Sequence, residues 1–212
     1  MSDLLPINEI ITKLQDAVSV EKRALIVAPP GAGKTTIIPL KLLNNRNITG
    51  QIIVLEPRRL AARAAASQMA SLLNEPVGET VGFQIKGLNK VSKQTRIVVI
   101  TEGILIRMIQ SDPSLSKVSC VIFDEFHERS INADLGLALS LQLAEVLRND
   151  LKILVMSATL DVGLVSELLD TKAPIISEGR AYHVECKYLS RPKSKTEDLW
   201  GNFSKLIHNA FE

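Results

Sequence analysis

The chain has 212 residues, 46% of them hydrophobic and 23% charged, so it fits one large domain or two small ones with a real core. Its formal net charge is only +2, so any nucleic-acid binding must come from a local basic patch. The amino terminus lacks a signal-peptide pattern, no apolar run approaches the ~20 residues that cross a bilayer, and the two cysteines lie far apart; these features predict a cytoplasmic protein with no membrane partner.

Hydrophobic periodicity predicts helices and strands that alternate along the chain. Apolar β-branched runs indicate buried strands, and Ala- and Leu-rich stretches indicate helices. In chain order, the prediction is helix 7–18, strand 24–28, helix 37–43, strand 52–55, helix 60–73, strand 80–86, strand 97–100, helix 104–110, strand 118–123, helix 132–147, strand 151–156, helix 162–169, strand 174–177, strand 184–189, a polar break at 191–195 and a terminal helix at 197–210.

The segment 132–147 is ambiguous, because its leucines alternate as they would in a strand. They stand at positions 135, 137, 139, 141 and 143, but no β-branched residue interrupts 133–145. This composition and the length of the segment favour a helix. The alternation predicts that the helix is buried on more than one side.

Alternating strands and helices predict an α/β fold with a mostly parallel sheet and helices on both faces. Polar clusters follow directly on five of the predicted strands, at 28–36, 56–59, 101–103, 124–127 and 157–159. In an open parallel sheet the carboxyl ends of the strands share one edge, where ligands bind. The five clusters therefore predict one composite site.

The first cluster, Ala28–Thr36, has the pattern of a phosphate-binding loop between a strand and a helix, although Ala28 stands where the usual pattern begins with Gly. Backbone N–H groups and the positive end of the helix favour an anion there. Lys34 adds a full positive charge for the outer phosphates, and the Thr35 hydroxyl is a hard oxygen suited to Mg²⁺. The N–H groups predicted to face the anion are those of Gly31, Ala32, Gly33, Lys34 and Thr35.

The fourth cluster supplies paired carboxylates at a strand end. Asp124 is suited to bind Mg²⁺, and Glu125 can accept a proton from an attacking water. His127 is predicted to reach Ser157 or Thr159 on a neighbouring strand end by a hydrogen bond, and so to relay the state of the nucleotide.

The second and third clusters are candidates for contacts with the backbone of a nucleic acid. Arg58 and Arg59 follow Pro57, while Thr101 and Gly103 follow another strand. Phosphate contacts need only charge, N–H groups and hydroxyls. The alternative for the arginines is a solvated pair, with one of them paired to Glu56.

In combination, these clusters resemble the motifs of superfamily 2 helicases. Ala28–Thr36, Leu55–Arg63, Thr101–Met108, Asp124–Ser130 and Ser157–Thr159 are similar to motifs I, Ia, Ib, II and III. The Asp-Glu-x-His sequence is typical of the DEAH/RHA branch, and Asp-Glu-Phe-His-Glu-Arg-Ser is similar to bacterial HrpB-type ATP-dependent helicases. The resemblance implies a RecA-like P-loop NTPase domain that uses ATP and Mg²⁺.

The resemblance also implies roles for individual residues. Nucleotide binding falls to Pro30, Gly31, Ala32, Gly33, Lys34, Thr35 and Thr36. Metal binding falls to Thr35, Asp124 and Glu125. Catalysis falls to Lys34, Glu125 and His127. Coupling of hydrolysis to movement falls to His127, Ser157 and Thr159. Contacts with the nucleic-acid backbone fall to Arg58, Arg59, Thr101 and Gly103.

The family's second RecA-like domain, with its Gln-x-x-Gly-Arg-x-Gly-Arg motif, has no counterpart after Leu189. We therefore expect a first RecA-like domain at 1–190, and at 191–212 a linker and the start of an absent second domain. The expected partners are single-stranded RNA or DNA and that second domain, without which the chain should be nearly inactive. Two alternatives stay open: a P-loop ATPase that remodels protein partners, and a non-enzymatic binding domain.

Overall fold

The computed structural model describes residues 6–159, 163–171 and 173–178, together with 201, 203, 204, 207 and 208. The chain divides into two units, Met1–Arg180 and Ala181–Glu212. The strand predicted at 184–189 and the polar break at 191–195 lie outside the described residues, and the domain boundary at 190 stays a prediction. The described residues of the terminal segment are helical, as predicted.

Within the described ranges, nearly every predicted element is present. The strands are β1 (Arg23–Val27), β2 (Gln51–Leu55), β3 (Val81–Ile85), β4 (Leu88–Lys90), β5 (Ile97–Ile100), β6 (Val118–Phe123), β7 (Lys152–Ser157) and β8 (Ile175–Ile176). The helices are α1 (Ile11–Val20), α2 (Lys34–Leu42), α3 (Arg59–Leu72), α4 (Glu102–Ser111), α5 (Ile131–Val146) and α6 (Gly163–Leu169), with 3-10 helices at Pro6–Ile10 and Phe126–Glu128. Strand β4 was not predicted, because its three residues are all exposed and carry no apolar pattern.

The eight strands form one sheet in the order β4-β3-β5-β2-β6-β7-β1-β8. Every neighbouring pair is parallel except β3 and β4, which form an antiparallel hairpin. Strand β6 lies in the middle and is buried at all six positions, as expected for a parallel strand covered on both faces. The α/β class with a mostly parallel sheet is confirmed.

Alternate residues of each central strand face opposite layers of the core. One face packs against α1, α2 and α3, and includes Ile26, Val54 and Ile122 from the sheet. The other face packs against α4, α5 and α6, and includes Ile53 and Val121. Helices therefore cover both faces, as predicted. No helix in the described ranges is long and apolar enough to cross a membrane.

Helix α5 is present as predicted, but the prediction that it is buried on more than one side is wrong. Its buried positions follow helical spacing and form one face: Ala133, Gly136, Leu137, Ser140, Leu141, Leu143 and Ala144. Leu135 is 44% exposed. A Cβ on Gly136 would lie 3.3 Å from the Leu105 side chain, so the small residues of α5 allow close packing against α4. The alternating leucines suggested the wrong periodicity, because small residues, and not leucines alone, make up the buried face of α5.

Candidate functional site

The five polar clusters lie at one edge of the sheet, as predicted. Across that edge, β5 ends before Thr101, β2 before Glu56, β6 before Asp124, β7 at Ser157 and β1 before Ala28. The carboxylates after β6 are therefore flanked by the arginine cluster on one side and by the phosphate loop, two strands away, on the other. One central strand end contacts both halves of the edge.

The loop from Ala28 to Gly33 has the backbone of an anion cradle. Gly31 and Gly33 have φ angles of 79° and 93°, in the left-handed region where a side chain would be strained. The N–H of Ala32, which was predicted to face the anion, instead donates to the Pro29 carbonyl at 3.2 Å. Four N–H groups of the loop and of the first turn of α2 have no acceptor in the described part of the chain. They belong to Gly31, Gly33, Lys34 and Thr35.

Lys34 begins α2 and is only 3% exposed. Its Nζ lies 2.9 Å from Oε1 of Glu125, so the two residues predicted to serve phosphate and water form an ion pair. Thr36 lies one residue beyond Thr35, and its hydroxyl contacts the Gly33 carbonyl at 3.4 Å. Thr35 and Thr36 are both partly exposed at the start of the helix.

Glu125 is held in an unusual backbone conformation. Its φ and ψ angles are 47° and 37°, the left-handed region that a non-glycine residue adopts at some cost. Its N–H donates to Oδ1 of Asp124 at 2.8 Å, which helps to hold the turn. The other oxygen of Asp124, Oδ2, is buried and has no hydrogen-bond partner among the described residues.

Burial also acts on the carboxylates of this edge. It raises the pKa of Asp124 to about 6, with the neighbouring Thr35 hydroxyl acting in the opposite direction and Glu125 adding to the rise. Burial, reinforced by the charge of Asp124, raises the pKa of Glu56 to about 7. A concentration of buried carboxylates favours the binding of a cation.

The oxygen donors fit Mg²⁺. The unpartnered Asp124 Oδ2 and the Thr35 hydroxyl are hard ligands, and Mg²⁺ keeps waters and substrate phosphates for its remaining positions. The described residues contain no group of three or more His, Cys, Asp or Glu side chains that could hold a metal by themselves. Such a sparse set of protein ligands suits a metal that arrives with a phosphate.

His127 reaches the neighbouring strand end, but not the side chains that were predicted. Its Nδ1 accepts the N–H of Ala158 at 3.2 Å, between Ser157 and Thr159. The proton of a neutral ring therefore sits on Nε2. Ser157 is itself engaged locally, because its Oγ accepts the Thr159 N–H at 3.2 Å. The bond to Ala158 connects the ends of β6 and β7, whereas the approach of Nδ1 to Oε2 of Glu125, at 3.4 Å, is in this tautomer a contact between two acceptors and not a hydrogen bond.

The arginines do not pair with Glu56. Arg58 forms an ion pair with Glu128, and Arg59 donates to the carbonyl of Lys86 in the β3–β4 turn. That turn lies at the same edge of the sheet, because β3 is parallel to β5. Periodicity alone did not reveal either partner.

The third cluster presents unoccupied groups. Thr101 precedes α4, yet its side chain makes no capping hydrogen bond. A Cβ built on Gly103 would meet nothing within 4 Å, so packing does not require the glycine. Both features leave the surface open at the start of α4.

Ser130 and Arg129 lie directly after the predicted catalytic set, and Ser130 joins the fourth cluster to the third. Ser130 accepts the Ala133 N–H at 3.0 Å, which caps α5, and donates to Glu102. Arg129 forms an ion pair with Asp134. Its Nε lies 3.0 Å from Oδ1 of Asp134, and its guanidinium lies over the Phe126 ring. A run of charged and hydroxyl residues directly after Asp-Glu-x-His was the signal in the sequence.

Comparison with known proteins identifies the family. The family model for "DEAD/DEAH box helicase" matches residues 8–167. The "ATP-dependent RNA helicase HrpB" of Escherichia coli strain K12 is 50% identical over 194 residues, which cover 92% of this chain and 24% of that protein. The "ATP-dependent RNA helicase HrpA homolog" of Haemophilus influenzae is 37% identical over 196 residues, covering 92% of this chain and 15% of that protein.

Solved structures agree. The crystal structure of the Escherichia coli DEAH/RHA helicase HrpB superposes with a TM-score of 0.88 and 48% sequence identity, covering 98% of this chain and 27% of that chain. The chain thus spans about a quarter of the length of this relative.

Proposed function

The chain belongs to the DEAD/DEAH box helicase family, and on that premise we propose that it is the ATP-binding motor domain of an ATP-dependent RNA helicase of the DEAH type. RNA is favoured over DNA because the matched relatives are named RNA helicases. The proposed partners are single-stranded RNA and a second RecA-like domain of a longer chain.

One observation carries the proposal: Nζ of Lys34 lies 2.9 Å from Oε1 of Glu125. The contact joins the residue suited to bind outer phosphates to the residue suited to receive a proton from water. A phosphate group entering the cradle would replace the Glu125 carboxylate as the partner of Lys34. The freed carboxylate could then act as the general base.

The other residues of the edge would bind and orient the nucleotide. The unpaired N–H groups of Gly31, Gly33, Lys34 and Thr35 would donate to phosphate oxygens. Asp124 and Thr35 would hold Mg²⁺, which neutralises charge on the phosphates when bound. His127 would transmit a displacement of Glu125 to the end of β7 through its bond to Ala158.

The arginine and threonine clusters would hold the RNA backbone. Arg58 is 66% exposed and carries a full charge at the same edge as the nucleotide cradle. Thr101 and Gly103 offer an uncommitted hydroxyl and open space at the start of α4. Contacts of this kind are insensitive to base sequence.

Titration of labelled single-stranded RNA and DNA into the wild-type chain and into Arg58→Ala tests the proposed nucleic-acid contact. Arg58→Ala should weaken RNA binding about equally for different base sequences, and the salt slope should fall by roughly 0.7. Arg23→Ala is the matched control. It removes the same charge, but Arg23 starts β1 and so lies at the opposite edge of the sheet. Equal loss in both variants, or no RNA binding by the wild-type chain, would contradict the proposed contact.

A further inference from the structure

The turn that carries Glu125 supplies two carboxylates, and each of them pairs with a different cation. Glu128 ends the 3-10 helix Phe126–Glu128, and its N–H donates to the Glu125 carbonyl at 2.9 Å. Glu125 pairs with Lys34, and Glu128 pairs with Arg58. Two of the candidate phosphate-binding cations, Lys34 and Arg58, are thus paired with carboxylates from one short turn.

The backbone of this turn is bounded by two residues in uncommon conformations. Glu125 and Arg129 have φ angles of 47° and 44°, although neither is a glycine. Such residues persist where surrounding contacts hold them. The two ion pairs are among those contacts, so loss of either pair weakens the support of the same turn.

Resting on the proposed function, we propose that Glu128 is a positioning residue that occupies Arg58 until an RNA phosphate displaces it. The phosphate and the Glu128 carboxylate compete for one guanidinium. Displacement of Glu128 by RNA and of Glu125 by ATP phosphates releases the same turn. Each ligand therefore removes part of the cost of binding the other, and binding is positively coupled in both directions.

The exposure of the pair makes this exchange feasible. The Arg58 side chain is 66% exposed and that of Glu128 is 37% exposed, whereas the Lys34 side chain is 4% exposed. Exposed ion pairs contribute up to about fivefold to an equilibrium constant, so a phosphate can replace Glu128 readily. The Lys34–Glu125 pair is buried, so only a phosphate that is also bound by the several N–H donors of the cradle can separate it.

A double-mutant cycle on the 212-residue chain tests the competition. The probe is a fluorescein-labelled oligouridine, titrated with and without Mg²⁺ and a non-hydrolysable ATP analogue. Glu128→Gln should tighten RNA binding about two- to fivefold, since Arg58 is no longer occupied. In the Arg58→Ala background, Glu128→Gln should change RNA affinity little, because the cation is gone.

The same titrations measure the coupling, which a merely structural role of Glu128 would not alter. The ATP analogue should tighten RNA binding by the wild-type chain, and by a smaller factor in Glu128→Gln. Glu145→Gln is the matched control, because it makes the same Glu→Gln change and breaks the Arg23–Glu145 pair, whose arginine starts β1 at the opposite edge of the sheet. It should leave both the RNA affinity and the coupling at wild-type values.

The outcomes separate the inference from the proposed function. Equal RNA affinity of Glu128→Gln and Glu145→Gln, or tightening by Glu128→Gln that survives in the Arg58→Ala background, would overturn the competition. Unchanged coupling in Glu128→Gln would overturn the positioning role. If Arg58→Ala binds RNA like the wild-type chain, the proposed RNA contact itself fails, and the inference fails with it.

Discussion

The ammonium group of Lys34 lies 2.9 Å from the Glu125 carboxylate, and both side chains are largely withdrawn from water. A buried charge without a partner is costly, so each group stabilises the other while no phosphate is present. In the proposed mechanism the pairing also keeps both groups inactive, because the cation is neutralised and the carboxylate is engaged. Nucleotide binding would then have to separate the pair before Glu125 could accept a proton.

Glu56 provides a prediction about pH. Burial raises its pKa from 4.5 to about 7, so the folded chain binds more protons than the unfolded chain between these values. The free energy of unfolding should therefore fall as pH rises through this window. Glu56→Gln removes this loss and should be more stable than wild type above pH 7 by on the order of 1–2 kcal/mol.

Urea unfolding at pH 5 and pH 8, with chelator present to exclude divalent cations, measures this difference. Some pH dependence should remain in Glu56→Gln, because burial also raises the pKa of Asp124. An equal effect of Glu56→Gln at both pH values would contradict the assigned burial of the charge.

Ser130 provides a prediction about stability. Its hydroxyl caps α5 by accepting the Ala133 N–H and also donates to Glu102. Ser130→Ala should lower the free energy of unfolding by about 0.5–2 kcal/mol. The control is Ser19→Ala, because the exposed Ser19 hydroxyl caps no helix: it donates to the Gln15 carbonyl within α1 and accepts a long hydrogen bond of 3.5 Å from Asn45 Nδ2. Equal effects of the two variants on urea unfolding would show that the cap contributes nothing special.

The 212-residue chain should hydrolyse ATP very slowly, and RNA should not raise the rate at saturating ATP. In P-loop ATPases an arginine supplied from across the nucleotide-binding cleft accelerates phosphoryl transfer by ~10³–10⁵. Arg129 is a poor substitute, because Asp134 and the Phe126 ring hold its guanidinium. Arg129→Ala should therefore leave the slow rate unchanged in a phosphate-release assay. Fast, RNA-stimulated turnover that Glu125→Gln abolishes would show that the arginine comes from within the chain or from a second copy.

The phosphate loop could be predicted from sequence because its determinants are local. A β-branched run, two glycines and Lys-Thr lie within about a dozen consecutive positions, and each has one structural consequence. The shared edge of the sheet was also predictable, since parallel strands align their carboxyl ends. Strand β4 was not, because its exposed residues lack periodicity.

The partners within the site could not be predicted, because they depend on which strands become neighbours. Arg58 meets Glu128, 70 positions away, only because β2 pairs with β6. His127 meets a backbone N–H at Ala158 rather than a nearby hydroxyl, and backbone groups carry no sequence signal. The buried face of α5 depended on Gly136 and Ser140, small residues that an apolar pattern ignores.

Titration of a fluorescent ATP analogue with Mg²⁺ into Lys34→Ala and Glu125→Gln tests the central claim most directly. Lys34→Ala should lose nucleotide binding or weaken it severely, because the outer phosphates lose the cation of the cradle. Glu125→Gln should bind at least as tightly as the wild-type chain, since Lys34 no longer pairs with a carboxylate. Equal binding by Lys34→Ala and the wild-type chain would contradict the assignment of this edge as the nucleotide site.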